Sequence, residues 1–150
     1  LIRNEYQDKK NIGLAMIIKH REQPGKIAEM HLVGHVQNND VIIVDDIIDT
    51  SGTLCEAARV LKERGGAKNV YAFATHGLFS GKAFDNIKNS SISEIIVTNT
   101  IPQKPGEKEI DKITRLSVAP LLAEAIRRVQ SKESVSSLFA NQPRSNLKGQ

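Results

Sequence analysis

The sequence predicts one α/β domain built on a parallel sheet with helices packed against it, a Rossmann-like arrangement. Apolar segments of strand length alternate along the 150 residues with amphipathic segments of helix length. Strands that alternate with helices form parallel sheets through right-handed crossovers. Apolar residues make up 39% of the chain and aromatic residues only 4%, which favours an aliphatic α/β core over an all-β sandwich.

The first strands are predicted from short apolar segments. Residues 12–18 (IGLAMII) form a nearly continuous apolar run, which is typical of a strand covered on both faces. A polar loop with a Pro-Gly pair follows at 19–26, and the alternation of 29–36 predicts a strand near a sheet edge. Residues 41–46 (VIIVDD) predict a second buried strand that ends on two acids.

The rest of the chain alternates between helix and strand. Residues 53–66 predict a helix with one apolar stripe, and the glycine pair at its end predicts a left-handed stop. Pro120, a favoured first residue, begins the last helix at 120–130. Between these helices we expect a strand at 69–76, a short helix at 81–90, a strand at 93–100, a loop at 101–110 and a strand at 113–118.

Charge and composition argue against two classes of partner. The net charge is +4, but the basic residues are scattered and aromatic residues are nearly absent, so we expect no nucleic-acid binding. No apolar run approaches the roughly 20 residues that span a bilayer, and no signal peptide opens the chain. Cys55 is the only cysteine, which suits a reducing compartment, and we expect a cytoplasmic protein.

The ends of the chain differ from its centre. It begins LIRNEYQDKK, without an initiator Met and with the pattern of a helix end, so we expect a segment of a longer protein. Residues 1–139 are expected to form the domain. Residues 140–150 have the polar, turn-forming composition of a disordered tail.

The segment VIIVDDIIDTSGT, residues 41–53, predicts a phosphate site. Its second half joins a strand to a helix, where backbone N–H groups have no helical partner. Small side chains let the backbone curl around an anion, and the helix dipole adds positive potential. The predicted phosphate ligands are therefore Asp49, Thr50, Ser51, Gly52 and Thr53.

Asp45 and Asp46 predict a sugar beside that phosphate. Two carboxylates would repel a phosphate in contact, but one sugar length away they can accept hydrogen bonds from vicinal hydroxyls or face Mg²⁺. A phosphate and a diol together describe ribose 5-phosphate. The alternative is that Thr50 or Ser51 only caps the helix, which leaves the two adjacent acids unexplained.

The same segment resembles the phosphoribosyl-pyrophosphate (PRPP) signature of the type I phosphoribosyltransferase fold. Four further segments together resemble the ribose-phosphate pyrophosphokinase (PRPP synthetase) family: ATHGLFSG at 74–81, IIVTNTIPQ at 95–103, LAEAIRR at 122–128 and ESVSSLF at 133–139. The similarity runs from about residue 12 to residue 139 and covers only the C-terminal half of such a synthetase.

The resemblance implies an enzyme that transfers pyrophosphate from Mg-ATP to the 1-hydroxyl of ribose 5-phosphate, giving PRPP and AMP. Asp45 and Asp46 match the family's ribose-hydroxyl ligands, and residues 49–53 match its 5-phosphate loop. Lys19 and Arg21 match the basic pair of its flexible catalytic loop. Such cations can neutralise charge on the transferring phosphoryl oxygens.

The resemblance also implies regulation and assembly. Ser134 and Ser136 match positions that bind phosphate or ADP between subunits in regulated members, and His76 is expected to be structural or regulatory. The family's metal ligands lie upstream, so we expect Mg²⁺ as cofactor but no metal ligand in this segment. Members commonly form hexamers built from dimers, and the isolated segment is expected to be inactive without the N-terminal half.

Two other functions stay open. A phosphoribosyltransferase would share the aspartate loop but is not expected to share both 122–128 and 133–139. A non-catalytic regulatory relative that associates with PRPP synthetases would have a disrupted phosphate loop. Here the loop is complete, and both Lys19 and Arg21 are present.

Overall fold

The computed structural model describes residues 12–20 and 29–140. The chain divides into two units, Leu1–Leu116 and Ser117–Gln150. The elements of the first unit are β1 (Met16–His20), β2 (Glu29–Val33), β3 (Asp40–Ile48), α1 (Gly52–Glu63), β4 (Asn69–Gly77), α2 (Ala83–Lys88), β5 (Glu94–Thr98), a 3₁₀ helix (Glu107–Glu109) and β6 (Ile113–Leu116). The second unit contains α3 (Ala119–Gln130) and α4 (Ser137–Ala140).

A four-stranded parallel sheet in the order β3-β4-β5-β6 forms the centre of the first unit. Its register pairs Asp45 with Ala74 and Ala74 with Val97. The predicted parallel α/β fold is therefore confirmed, and the helices and strands from residue 52 to residue 116 lie within a few residues of their predicted positions. Gly66 has φ 68°, as the predicted left-handed stop after α1 requires.

The core lies between one face of this sheet and the helices. Alternate residues of β4 and β5 are buried on that face, and they cluster with the apolar stripe of α1 and with Ile87 of α2. The small side chains of Ala72 and Ala74 let the helices pack closely against the sheet. The other face is more open, because Ile42 and Val44 of β3 are 65% and 54% exposed. The predicted burial of β3 is therefore wrong for this part of the open face and only partial on the core side, where Val41 and Ile43 are half-buried.

The prediction for residues 12–18 is wrong in two respects. The strand begins at Met16, and it pairs antiparallel with β2 in a separate two-stranded sheet. Ile17 packs with Met30 near α1, whereas Ile18 on the other face is about half exposed. The single helix beside this two-stranded sheet covers only one of its faces. The apolar run therefore does not indicate that both faces are buried. The predicted edge position of β2 is confirmed.

β3 extends further than predicted. Asp45 and Asp46 do not end the strand, because β4 continues to pair with it through Ile47 and Ile48. The pairing partner supplies hydrogen bonds for two more residues, which a pattern within β3 alone does not reveal. The acids therefore lie just inside the carboxyl end of the strand.

The segment between β5 and β6 is anchored by a buried ion pair. The predicted loop contains the 3₁₀ helix, and the Glu107 side chain within it is almost fully buried. Arg115 donates to both Glu107 carboxylate oxygens and, at 2.5 Å, to the carbonyl oxygen of Ile101. The backbone N–H of Lys104 also donates to Glu107. These bonds fasten the segment to β6.

The second unit contains the predicted helix at 120–130, which is confirmed as α3 with Pro120 in its first turn. Its apolar stripe is exposed at Ile126 and Val129. The Arg127 and Arg128 guanidiniums lower the pKa of Glu124 to about 2.

No helix among the described residues is long and apolar enough to cross a membrane. The predicted helix end at 1–10 and the predicted tail at 141–150 lie outside the described residues.

Replacement of Glu107 should destabilise the first unit. Glu107→Gln leaves the largely buried Arg115 without its counter-charge, and we expect the free energy of unfolding to fall by about 3 kcal/mol. Urea denaturation measures the change. The matched control is Glu109→Gln, two residues away and exposed, which should shift stability by less than about 0.5 kcal/mol. Equal effects of the two variants would contradict the anchoring role.

Candidate functional site

The predicted site residues of β3 lie at the carboxyl end of the sheet. Asp45 and Asp46 are both exposed, and the Asp46 N–H donates to Asp45 Oδ1 at 2.9 Å. Asp45 pairs with Ala74, which is fully buried, so strand alternation places Asp45 on the core-side face and Asp46 on the opposite face. The two carboxylates therefore flank the strand, and within the described residues their only side-chain hydrogen bond is the one from Asp46 N–H to Asp45 Oδ1.

The loop between β3 and α1 is held by its carbonyl groups. Three successive carbonyl oxygens accept hydrogen bonds from the segment after β4 and from α2: Ile48 from Leu78 N–H at 2.8 Å, Asp49 from Ser80 N–H at 3.1 Å, and Thr50 from Asn86 Nδ2 at 2.9 Å. The negative ends of three peptide dipoles thus point into the protein. Neighbouring elements, and not the loop alone, set this orientation.

The N–H groups of the same peptides point the other way. In a planar trans peptide the C=O and N–H bonds are opposed, so the N–H groups of residues 49–51 point away from the groups that hold the three carbonyl oxygens. Those of Thr50 and Ser51 find no acceptor in the described part of the chain. The first turn of α1 adds the N–H groups of residues 52–54, because its first helical bond is Cys55 N–H to Ser51 O at 2.9 Å. Such a row of donors binds anions.

Ser51 takes part in this loop through its backbone. It adopts the left-handed conformation, with φ 63°, and its residue is only 5% exposed. Its hydroxyl oxygen is buried without a hydrogen-bond partner among the described residues. In this conformation the hydroxyl faces the interior and neither caps α1 nor reaches the open side of the loop, whereas Thr50 and Thr53 are exposed.

Gly52 faces open space. A Cβ atom added there would meet no atom of another described residue within 4 Å, and its backbone lies outside the left-handed region. Within the described residues, neither packing nor conformation therefore requires glycine at this position. The open space allows a ligand to approach the backbone closely.

Lys19 brings a positive charge to the loop. It lies on β1, and its Nζ donates to Thr53 Oγ1 at 3.2 Å. The structure therefore joins one of the two predicted basic residues to the predicted phosphate loop. Arg21 lies outside the described residues.

A polar cluster lies beside the aspartates at the ends of β4 and β5. His76 Nδ1 is 2.7 Å from Thr100 Oγ1, and both Thr98 and Thr100 donate to the carbonyl oxygen of Thr75. Sequence reasoning did not assign these residues to the ligand site. The available signal was their place at the carboxyl ends of the strands next to β3, where ligands of parallel sheets bind.

The carboxylates suit a shared magnesium ion better than a resident one. No cluster of three or more potential metal ligands occurs within residues 12–20 and 29–140. Asp45 and Asp46 nevertheless provide two exposed carboxylates, and Mg²⁺ is commonly held by one or two carboxylates together with substrate phosphates. The donor set therefore fits a metal that arrives with a phosphorylated substrate.

Cys55 faces α2 from the first turns of α1 and does not extend the site. It packs against the core cluster, and burial raises the pKa of its thiol. A thiol with a raised pKa is a poor nucleophile, so its role is packing.

Ser134 and Ser136 belong to the second unit and are both exposed. The carbonyl oxygen of Ser134 accepts hydrogen bonds from Arg128 Nη1 at 2.9 Å and from Ser137 Oγ at 2.8 Å. These bonds order the turn between α3 and α4 and leave the two predicted regulatory hydroxyls at the surface.

Comparisons with known proteins agree on one family. The profile of the family described as "Phosphoribosyl synthetase-associated domain" matches residues 5–140. The chain is 53% identical over 128 residues to a ribose-phosphate pyrophosphokinase of Shewanella oneidensis, covering 85% of this chain and 40% of that protein. It is 50% identical over 126 residues to the Buchnera aphidicola protein of the same name, covering 84% and 40%.

A solved structure shows the same fold. The phosphoribosylpyrophosphate synthetase from Mycobacterium smegmatis superposes with a TM-score of 0.73 at 36% identity, covering 87% of this chain and 41% of that chain. The chain thus spans about two fifths of the length of the proteins it matches.

Removal of the Ser51 hydroxyl should stabilise the protein. Ser51→Ala keeps Cβ and the left-handed backbone but removes a buried oxygen without a partner, so we expect a gain of about 1 kcal/mol and a melting temperature about 3 °C higher. Calorimetric melting measures it. Ser93→Ala, at an exposed serine, should leave the melting temperature unchanged. A lower melting temperature for Ser51→Ala would show that the hydroxyl has a partner.

Proposed function

Because this chain belongs to the phosphoribosyl synthetase-associated domain family, we propose that it supplies the ribose 5-phosphate site of a ribose-phosphate diphosphokinase. That reaction transfers pyrophosphate from Mg-ATP to the 1-hydroxyl of ribose 5-phosphate and gives PRPP and AMP. The two bacterial relatives carry the name of this activity. Since the chain spans two fifths of their length, the proposal for this chain is limited to sugar-phosphate binding and the basic residues.

The observation that carries the proposal is the row of N–H groups from Thr50 to Leu54. The N–H groups of Thr50 and Ser51 point away from the segment after β4 and from α2, which hold the preceding carbonyl groups. Those of residues 52–54 are the unpaired N–H groups of the first turn of α1. A 5-phosphate at this row accepts several backbone hydrogen bonds at the positive end of α1. Gly52 leaves the space that such an anion needs.

The two aspartates complete a sugar-phosphate site. Ionised carboxylates only accept hydrogen bonds, so Asp45 and Asp46 select hydroxyl donors over a second phosphate. They lie five and four positions before Thr50, the first residue of the N–H row. A ribose whose 5-phosphate binds the row would present its vicinal hydroxyls to the end of β3.

Lys19 supports the transfer step. The 1-hydroxyl oxygen attacks the β-phosphorus of ATP and loses its proton to solvent, and the bond from that phosphorus to the oxygen of the leaving AMP breaks. Negative charge develops on the transferring oxygens, and an ammonium beside the loop, with Arg21 as its predicted companion, would stabilise it. Mg²⁺ that arrives with the triphosphate would neutralise phosphate charge. Phosphate or ADP binding near Ser134 and Ser136 in an oligomer is the regulatory part of the proposal.

Gly52→Ala should weaken binding without loss of stability. The added methyl group meets no protein atom, but it would occupy the space beside the N–H row. We expect affinity for both inorganic phosphate and ribose 5-phosphate to fall roughly tenfold, the effect of about 1.4 kcal/mol, as measured by calorimetric titration. Gly13→Ala, which also meets nothing within 4 Å, is the matched control. Unchanged phosphate affinity in Gly52→Ala would contradict the proposed anion site.

Loss of the two aspartates should weaken binding of ribose 5-phosphate but not binding of inorganic phosphate. In Asp45→Ala/Asp46→Ala we expect ribose 5-phosphate to bind roughly a hundredfold more weakly, because hydrogen bonds to charged groups are each worth about 1.5–3 kcal/mol. Affinity for inorganic phosphate should stay constant. Titrations with Mg²⁺ present, after circular dichroism confirms folding, measure both, with the exposed Asp111→Ala as control. An equal loss of affinity for ribose 5-phosphate and for inorganic phosphate would show that the aspartates do not bind the sugar.

A further inference from the structure

The protons in the polar cluster at the ends of β4 and β5 can be assigned by counting. Four close approaches link Thr98 Oγ1, Thr100 Oγ1, His76 Nδ1 and the carbonyl oxygen of Thr75. If Nδ1 carries the proton, three hydrogen bonds form at once: Thr98 and Thr100 both donate to Thr75 O, and Nδ1–H donates to Thr100. If Nε2 carries it, only two hydrogens remain for the four approaches. The cluster therefore favours the Nδ1–H tautomer.

This tautomer leaves a lone pair on Nε2 of His76. No group in the described part of the chain hydrogen-bonds to Nε2, and the side chain is half-buried. The ring is held at Nδ1 through Thr100, which is itself fixed to the backbone of Thr75. Nε2 is thus held in a fixed orientation, in which it can accept a hydrogen bond from a ligand.

The sheet register places this acceptor near Asp45. Asp45 pairs with Ala74 and Ile47 with His76, so Asp45 and His76 project from the same face of neighbouring strands. Strands lie about 4.8 Å apart and residues two positions along a strand about 6.6 Å apart, which puts the two Cα atoms about 8 Å from each other. A single sugar can contact both side chains across this distance.

We propose that His76 is a further sugar-binding residue, which accepts a hydrogen bond from a ribose hydroxyl through Nε2. The inference rests on the proposed ribose 5-phosphate site and adds a second acceptor on the core-side face of the sheet. Together with Asp45, it makes this part of the site specific for hydroxyl donors and unsuited to a second anion. His76 therefore binds the sugar, whereas the N–H row binds the phosphate.

Two substitutions separate this role from a purely structural one. His76→Asn retains an amide that can reach Thr100 but has no atom at the Nε2 position, and we expect it to weaken ribose 5-phosphate binding roughly tenfold, the loss of about one hydrogen bond. His76→Gln places an acceptor near the Nε2 position and should stay within roughly threefold of the wild-type affinity. Affinity for inorganic phosphate should be the same in all three chains.

The experiment combines calorimetric titration of these variants with ¹⁵N NMR of the imidazole nitrogens. Long-range ¹H–¹⁵N correlations of the neutral ring, assigned by their loss in His76→Asn, should show the Nδ1–H tautomer, and ribose 5-phosphate should shift the Nε2 signal. An Nε2–H tautomer would overturn the inference. So would a His76→Gln chain that binds more weakly than His76→Asn, since that order is expected if only the bond to Thr100 matters.

The outcomes also distinguish this inference from the proposed function. If Asp45→Ala/Asp46→Ala loses ribose 5-phosphate while both His76 variants bind it normally, His76 is not a ligand and the proposed site stands. If the folded wild-type chain does not bind ribose 5-phosphate, the proposed function fails and the His76 inference fails with it.

Discussion

The orientation of three peptide groups, those that follow Ile48, Asp49 and Thr50, determines what this end of the sheet can do. Their carbonyl oxygens are held by the segment after β4 and by Asn86 of α2, and planarity turns their N–H bonds outward. The holding groups are themselves placed by the parallel pairing of β3 with β4 and by the buried face of α2. The row of N–H donors that we propose as an anion site is thus a property of the packed α/β unit.

Much of the fold could be predicted because its elements have local signatures. The stripe of α1 and the apolar segments of β4 and β5 show period and length directly. The incorrect predictions concern features that depend on a partner strand. Residues 12–18 are equally apolar whether one face or two are covered, and only the antiparallel pairing with β2 distinguishes the cases. The extension of β3 past Asp46 likewise depends on β4.

The role of residues 45–53 as sugar and phosphate ligands stays a prediction. Their place at the junction of a strand and a helix was predictable from acids, glycine and small residues that follow an apolar run. The direction of the Ser51 side chain was not, since it follows from a left-handed backbone that sequence does not reveal at a serine. The polar contact of His76 was also not predicted. Its contact with Thr100 depends on how β4 and β5 align, and the two residues are 24 positions apart.

The separate two-stranded sheet has a consequence for how this protein can change over evolution. Lys19 is carried by β1, which shares no backbone ladder with the four-stranded sheet and packs through Ile17 in the cluster of Met30, Ala57 and Val60. The hairpin also packs on β3 and α1, since Ile17 and Leu32 lie against Ile43 and Ala57, but the loop carbonyls are held by the segment after β4 and by α2. Substitutions at exposed hairpin positions such as Ile18 can therefore reposition the ammonium while these carbonyl bonds stay intact. In the proposed function, the strength of phosphate binding and the rate of the transfer step would then be open to independent adjustment.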